Sequence, residues 1–292
     1  TPEYIAEDSS PPLRRICIAF IVLETLTIIA YFASRWIKKP TGYASMPFLM
    51  VGGYICCVGI AILSFLICEV GGGGHHIVTI PEYVLIRRFK IDKAVEWAYV
   101  PAVTFPKMAI LLLYMKLFTQ HRRALRYICY ATATVIMLVL LYGLVSPAFS
   151  CRPFAFNWNK KIPGGTCINI LVSYRWVSFP NIITDLVLMA LCMPAIYKVQ
   201  LPLITKISLF ATFALGSGGI VTSIIRFVEF FRNDIFTDHT FNGTNSLIWT
   251  TIEPGVYFIA AALLTMRPLF RWFVKGVTMP SYLQKLTASW TS

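Results

Sequence analysis

The sequence predicts an all-α membrane protein, built as a bundle of seven transmembrane helices. Three observations lead there. Of the 292 residues, 57% are hydrophobic and only 13% charged, a balance that soluble domains of this length do not show. The apolar residues gather into seven runs, each close to the ~20 residues that cross a bilayer as a helix. Pro47, Pro101, Pro106, Pro180, Pro194 and Pro254 fall in or at the ends of these runs, where membrane helices satisfy the freed carbonyls through neighbouring helices or cavities.

In chain order, a polar, Pro-rich segment 1–15 precedes the first span, 16–34, which carries Glu24. The chain opens on Thr1, which points to upstream residues missing or removed, and no signal peptide is visible. A second span covers 46–69. The third, 97–118, follows Glu96 and holds Lys107 at its middle. Glu96, Lys107 and Tyr114 are eleven and seven residues apart, so at about 100° per residue they share one narrow stripe. A charge at mid-bilayer costs roughly 2.5 kcal/mol or more without a partner, so that stripe should face protein. The fourth span is 125–146, and the fifth, 173–197, contains Asp185. Arg226 and Glu229 stand three apart in the sixth, 205–230, and Glu253 in the seventh, 246–266. The membrane domain thus covers 16–272, and a short tail, 273–292, follows.

The net charge of +13 would suggest a nucleic-acid partner in a soluble protein. Here the basic residues cluster at span ends, and membrane orientation explains them better; the partner is the lipid bilayer. The loops 1–2, 3–4 and 5–6 with the tail hold 13 basic residues against 11 on the opposite side, and the short loops count most. This places the N-terminus outside and the C-terminus in the cytoplasm, in the plasma membrane or an endomembrane. Two features agree: an N-glycosylation sequon at Asn242-Gly243-Thr244, and Cys151 with Cys167 in the 4–5 loop. A disulfide there closes a loop of about 17 residues and contributes roughly 3 kcal/mol on a chain-entropy estimate. Cys17, Cys56, Cys57, Cys68, Cys129 and Cys192 read as small apolar packing residues.

Lys107 and Asp185 each lie some 11 residues, roughly 16 Å, below the outer ends of their spans, which predicts an ion pair at the bundle centre. Arg226 can pair with Glu229 along one helix face, and Glu253 can reach Arg226. Glu24 has no evident partner. For each group a helix-to-helix clamp stands beside a ligand or catalytic role, and spacing designates no catalytic residue. The run Arg87, Arg88, Lys90 and Lys93 reads as a solvated loop face or the entry to the third helix, and Gly71–Gly74 with His75 and His76 as a flexible outer loop. Four histidines in all make a metal site improbable. The seventh span has no Lys for a retinal Schiff base, no cofactor is expected, and no nucleophile elbow, P-loop or His-Glu-x-x-His occurs.

An ordered set of residues resembles a known family. Its pieces are Gly72-x-Gly74-x-His76; Glu96 with Lys107, Tyr114 and Phe118; Cys151-Arg152-Pro153 with Trp158 and Gly164-Gly165-Thr166-Cys167-Ile168-Asn169; Asn181-x-x-x-Asp185 with Pro194; Gly216 with Arg226; and Asp238, Trp249, Glu253, Arg267 and Pro268. Over residues 42 to 272 the chain resembles the fungal rhodopsin-like integral membrane family, which includes Pth-type GPCR-like receptors and proteins encoded beside secondary-metabolite pathways. The resemblance implies that Lys107, Asp185, Arg226 and Glu253 share a polar core and that Cys151 pairs with Cys167. It departs at Gly42–Pro47, where members usually carry acids, and at His75, where Arg is common. Two functions follow as expectations. One is a GPCR-like sensor of an extracellular or lipophilic ligand with a heterotrimeric G protein as partner, although the usual coupling motifs of the third and seventh helices are absent. The other is an intramembrane enzyme or accessory protein handling a lipophilic pathway intermediate, with Glu24, Asp185 or Glu253 as its acid. A transporter comes third, since no internal repeat is seen.

Overall fold

The computed structural model describes residues 7–37, 45–118, 123–198, 216–225, 227–228 and 240–266. Seven helices stand in them: α1 Ser10–Ile37, α2 Met46–Val70, α3 Glu82–Phe118, α4 Arg123–Val145, α5 Ile170–Lys198, α6 in its described part Gly216–Ile225, and α7 Gly243–Thr265. Five of these, α1 to α4 and α7, are long and apolar enough to cross a membrane, and α5 has 29 residues, length enough for the same. The protein is an all-α membrane protein.

Packing separates core helices from peripheral ones. In α3 and α7 61% and 67% of the most apolar stretch is buried, whereas in α1 and α4 the share is 22%. Ile18, Val22, Leu26 and Ile29 of α1 and Leu138 and Leu141 of α4 are exposed, the apolar outer surface that a bilayer solvates. Cys17, Cys57, Cys68 and Cys129 are buried free thiols.

Helix α3 differs from expectation at its start. It begins at Glu82, fifteen residues before the apolar span, so Arg87, Arg88, Lys90 and Lys93 belong to its first turns. Arg88 is no solvated residue: it is 1% exposed, and its Nε donates to both Asp92 oxygens at 3.1 and 3.0 Å. Lys93 pairs with Glu96 at 2.6 Å. These (i, i+4) and (i, i+3) pairs are what carries a charged stretch into a helix.

One end of the bundle is closed by an ordered cap. The 4–5 loop forms a two-stranded antiparallel pair, Cys151–Arg152 against Thr166–Cys167, joined by the Cys151–Cys167 disulfide. Lys161 meets Glu82 at 2.6 Å, and Lys93 donates to Ser150 Oγ at 3.1 Å, so the loop is tied to α3. Lys160 lies over the Phe156 ring at 4.7 Å; burial, and then the charge of Lys93, lower its pKa.

The glycine loop after α2 is a tight turn, not the flexible loop expected. Gly72 and Gly74 take φ of 64° and 98°, values open to glycine at no steric cost. Gly74 N–H donates to Thr240 O at 3.0 Å and Gly74 O accepts from Ser9 N–H at 3.1 Å. His76 is buried, stacks on Phe241 at 4.2 Å and lies 3.3 Å from Glu7. These contacts join the N-terminal end of α1 to the start of α7.

Candidate functional site

The centre of the bundle holds a polar network contributed by α3, α5, α6 and α7. Lys107 Nζ stands 2.5 Å from Asp185 Oδ1. The same ammonium donates to Asn181 Oδ1 at 2.7 Å and to Asn181 O at 3.2 Å, and lies 4.7 Å from the Tyr257 ring centre. Tyr257 O–H donates to Asp185 Oδ2 at 2.6 Å. Glu253 is held by three donors: Tyr99 O–H at 2.7 Å, Asn181 Nδ2 at 3.1 Å and Ser223 Oγ at 2.5 Å. Lys107, Asp185 and Glu253 are 1%, 4% and 0% exposed. In a medium of low dielectric each such charge needs partners, and each finds them on other helices.

Local sequence explains the convergence. Asn181 and Asp185 are four apart on α5, as are Glu253 and Tyr257 on α7, so each pair lies on one helix face. Gly219 of α6 makes room for the tyrosine, since a Cβ there would stand 2.7 Å from Tyr257 Cε1. Asn181 formed part of the family pattern without a site role, whereas Tyr99, Ser223 and Tyr257 went unremarked in the sequence. The (i, i+4) spacing from each acid was the signal that could have found Asn181 and Tyr257.

Other candidates fall elsewhere. Glu96 belongs to the cap end, on Lys93. Glu24 is 0% exposed in α1, its two carboxyl oxygens buried without a hydrogen-bond partner among the described residues, and a Cβ on Gly255 of α7 would stand 2.8 Å from its Oε1. Arg226 and Glu229 lie outside the described residues. Asn242 is half-buried at the head of α7, and Thr244 of its sequon is buried and donates to Thr240 O at 3.2 Å. Among the described residues no three His, Cys, Asp or Glu side chains gather as a metal would require.

A cavity of about 160 Å³ lies between α3, the end of α4 and the starts of α5 and α7. Its wall includes Arg88, Asp92, Glu96 and Tyr99 of α3, Ser146 and Pro147, Val177 of α5, and Ser246, Leu247 and Thr250 of α7. Tyr99 belongs to both structures: it lines the cavity and donates to Glu253.

The sequence profile of the fungal rhodopsin domain family matches residues 30–272. The chain belongs to that family. Among its relatives is the "Polyenoic acids biosynthesis gene cluster protein Ba17b" of Metarhizium anisopliae, 33% identical over 87% of this chain and 73% of the relative. A "SAT4 family membrane protein" of Emericella nidulans is 28% identical over 72% of this chain. The "Satratoxin biosynthesis SC1 cluster protein 4" of Stachybotrys chartarum is 22% identical over 61% of it. This fungal rhodopsin domain spans 53% and 62% of the length of the latter two. No solved structure matches the chain.

Proposed function

We propose that this fungal rhodopsin domain is a GPCR-like sensor of a small lipophilic ligand that enters from an outward-facing cap end. One observation carries the reading: Tyr99 is at once a wall of the cavity and a donor to Glu253. A ligand that shifts Tyr99 therefore acts on a network shared by four helices. Its members are buried charges, for which loss of a partner costs about 3–5 kcal/mol, so a ligand that changes their partners can favour one arrangement of the helices over another. The orientation has the N-terminus outside, with Asn242 as a glycan acceptor on the same side as the disulfide loop, and with the basic loops and tail facing a heterotrimeric G protein.

The test uses the full chain and a fungal Gα subunit fused to the halves of a split reporter. Cells are exposed to the lipophilic extract of their own culture medium. Extract-dependent signal that Tyr99→Phe abolishes is the expected result, because Phe keeps the cavity wall and removes the bond to Glu253. A wild-type chain whose signal ignores the extract sinks the sensor reading.

A second reading rests on the relatives, two of which carry names of biosynthetic gene clusters. In it the chain is an intramembrane enzyme or accessory protein of a secondary-metabolite pathway, and the cavity holds a pathway intermediate. Deleting the gene and profiling metabolites decides this; an unchanged profile removes it.

A further inference from the structure

The cavity's volume and its hydrogen-bonding groups define a ligand class. A cavity of about 150 Å³ holds a benzene-sized molecule, so the ~160 Å³ here accepts a six-membered ring or the end of a longer chain. Val95, Val100, Val177 and Leu247 supply apolar wall.

The charged wall residues form two ion pairs. Arg88 gives its Nε to Asp92, while its buried Nη1 makes no hydrogen bond among the described residues and lies beside Gly73, where a Cβ would come within 2.9 Å. Glu96 is paired through Oε2 with Lys93. Each pair is neutral in sum, so among the described residues the wall carries no net charge to draw an ionic ligand. A carboxylate could take a bond only from Arg88 Nη1 and would face the charges of Asp92 and Glu96, whereas a neutral oxygen can accept from Nη1 without that repulsion. An ammonium would have to displace Arg88 or Lys93.

Thr250 offers an acceptor. Thr250 spends its hydroxyl proton on Ser246 O at 2.8 Å, which leaves Thr250 Oγ an acceptor in a wall that also includes Glu96. A neutral group that donates to Thr250 Oγ and can accept from a donor such as Arg88 Nη1 matches this wall.

We propose that the cavity binds the hydroxyl end of a neutral lipophilic alcohol. The hydroxyl donates to Thr250 Oγ or Glu96, and the carbon skeleton packs on Val95, Val100, Val177 and Leu247. The assignment rests on the reading of this cavity as the ligand's place, and it adds the ligand's chemistry.

The test is thermal unfolding of the purified full chain with cyclohexanol, cyclohexanecarboxylate, cyclohexylamine or methylcyclohexane at equal concentration. Cyclohexanol should raise the midpoint by about 2–4 °C at roughly five times its Kd, and the other three should need at least tenfold more. Thr250→Val, which keeps the shape and removes the acceptor, should weaken the alcohol's effect severalfold. Val177→Phe, which fills the cavity from the half-exposed start of α5, should abolish it. Each variant is measured without probe as well, so a folding defect shows in its own midpoint. The proposal is overturned if the acid or the amine stabilises as well as the alcohol, or if no probe stabilises wild type more than Val177→Phe. Alcohol binding without any G-protein response in cells would sink the sensor reading and leave the alcohol site standing.

Discussion

Two buried acids lie close together along α7 and have opposite surroundings. Glu253, on α7, is met by Tyr99, Asn181 and Ser223. Glu24, on α1, packs against Gly255, two residues further along α7, with both oxygens buried and, among the described residues, without a hydrogen-bond partner. Both are 0% exposed, so burial alone does not separate them. The difference lies in convergence: donors from α3, α5 and α6 are aimed at Glu253, whereas among the described contacts α1 contributes no side chain to the central network. A buried group denied its hydrogen bonds costs about 1–3 kcal/mol. Glu253 with Asp185 therefore organises the bundle, and Glu24 lowers the stability of the helix pair that carries it.

The contrast can be broken most forcefully at Lys107. Lys107→Met leaves Asp185 unpaired in the core and should cost about 3–5 kcal/mol. Lys107→Met/Asp185→Leu should recover more than half, because no unpaired acid remains. Thermal unfolding of the purified variants measures both, and equal midpoints for single and double would mean that Asp185 does not depend on Lys107. Next in size is Tyr257→Phe, which keeps the ring beside Lys107 and deletes the bond to Asp185. A loss of about 1.5–3 kcal/mol is expected for a bond to a charged group; an unchanged midpoint would make that hydroxyl dispensable. Gly255→Ala sharpens the other side. Its Cβ would press on Glu24 Oε1 and on Phe20, for an overpacking cost of about 1–3 kcal/mol. Adding Glu24→Ala should relieve part of it, giving a double-mutant cycle that departs from additivity.

How far the sequence revealed this arrangement depended on the kind of signal. Span positions were legible because a bilayer imposes length and apolarity on each helix, and six of the seven spans correspond to helices of the structure within a few residues at most ends. The start of α3 was missed because its first turns are held by Arg88–Asp92 and Lys93–Glu96 rather than by apolar periodicity. Equal depth brought Lys107 and Asp185 together on paper, and the structure sets them in contact. Tyr99 and Ser223 were hidden, since a hydroxyl in an apolar run costs little and leaves no charge to explain. The glycine turn was misread because Gly-rich composition reports conformational freedom, while the order here comes from distant partners, Thr240 and Ser9.

The smallest expected effect is the most discriminating. Glu24→Leu replaces a carboxyl that accepts no hydrogen bond from the described residues by an apolar side chain of similar size, so none of their donors is orphaned and an unmet polar group is removed. Stability should change by less than about 1 kcal/mol or rise. Glu253→Leu is the matched control. It orphans the Tyr99, Asn181 and Ser223 donors, each costing about 1–3 kcal/mol when left buried and unpaired, although the three share one site and will not add fully. Paired unfolding midpoints of the two variants give the comparison directly. If Glu24→Leu falls as far as Glu253→Leu, a donor faces Glu24 in the folded protein, and α1 belongs to the polar network after all.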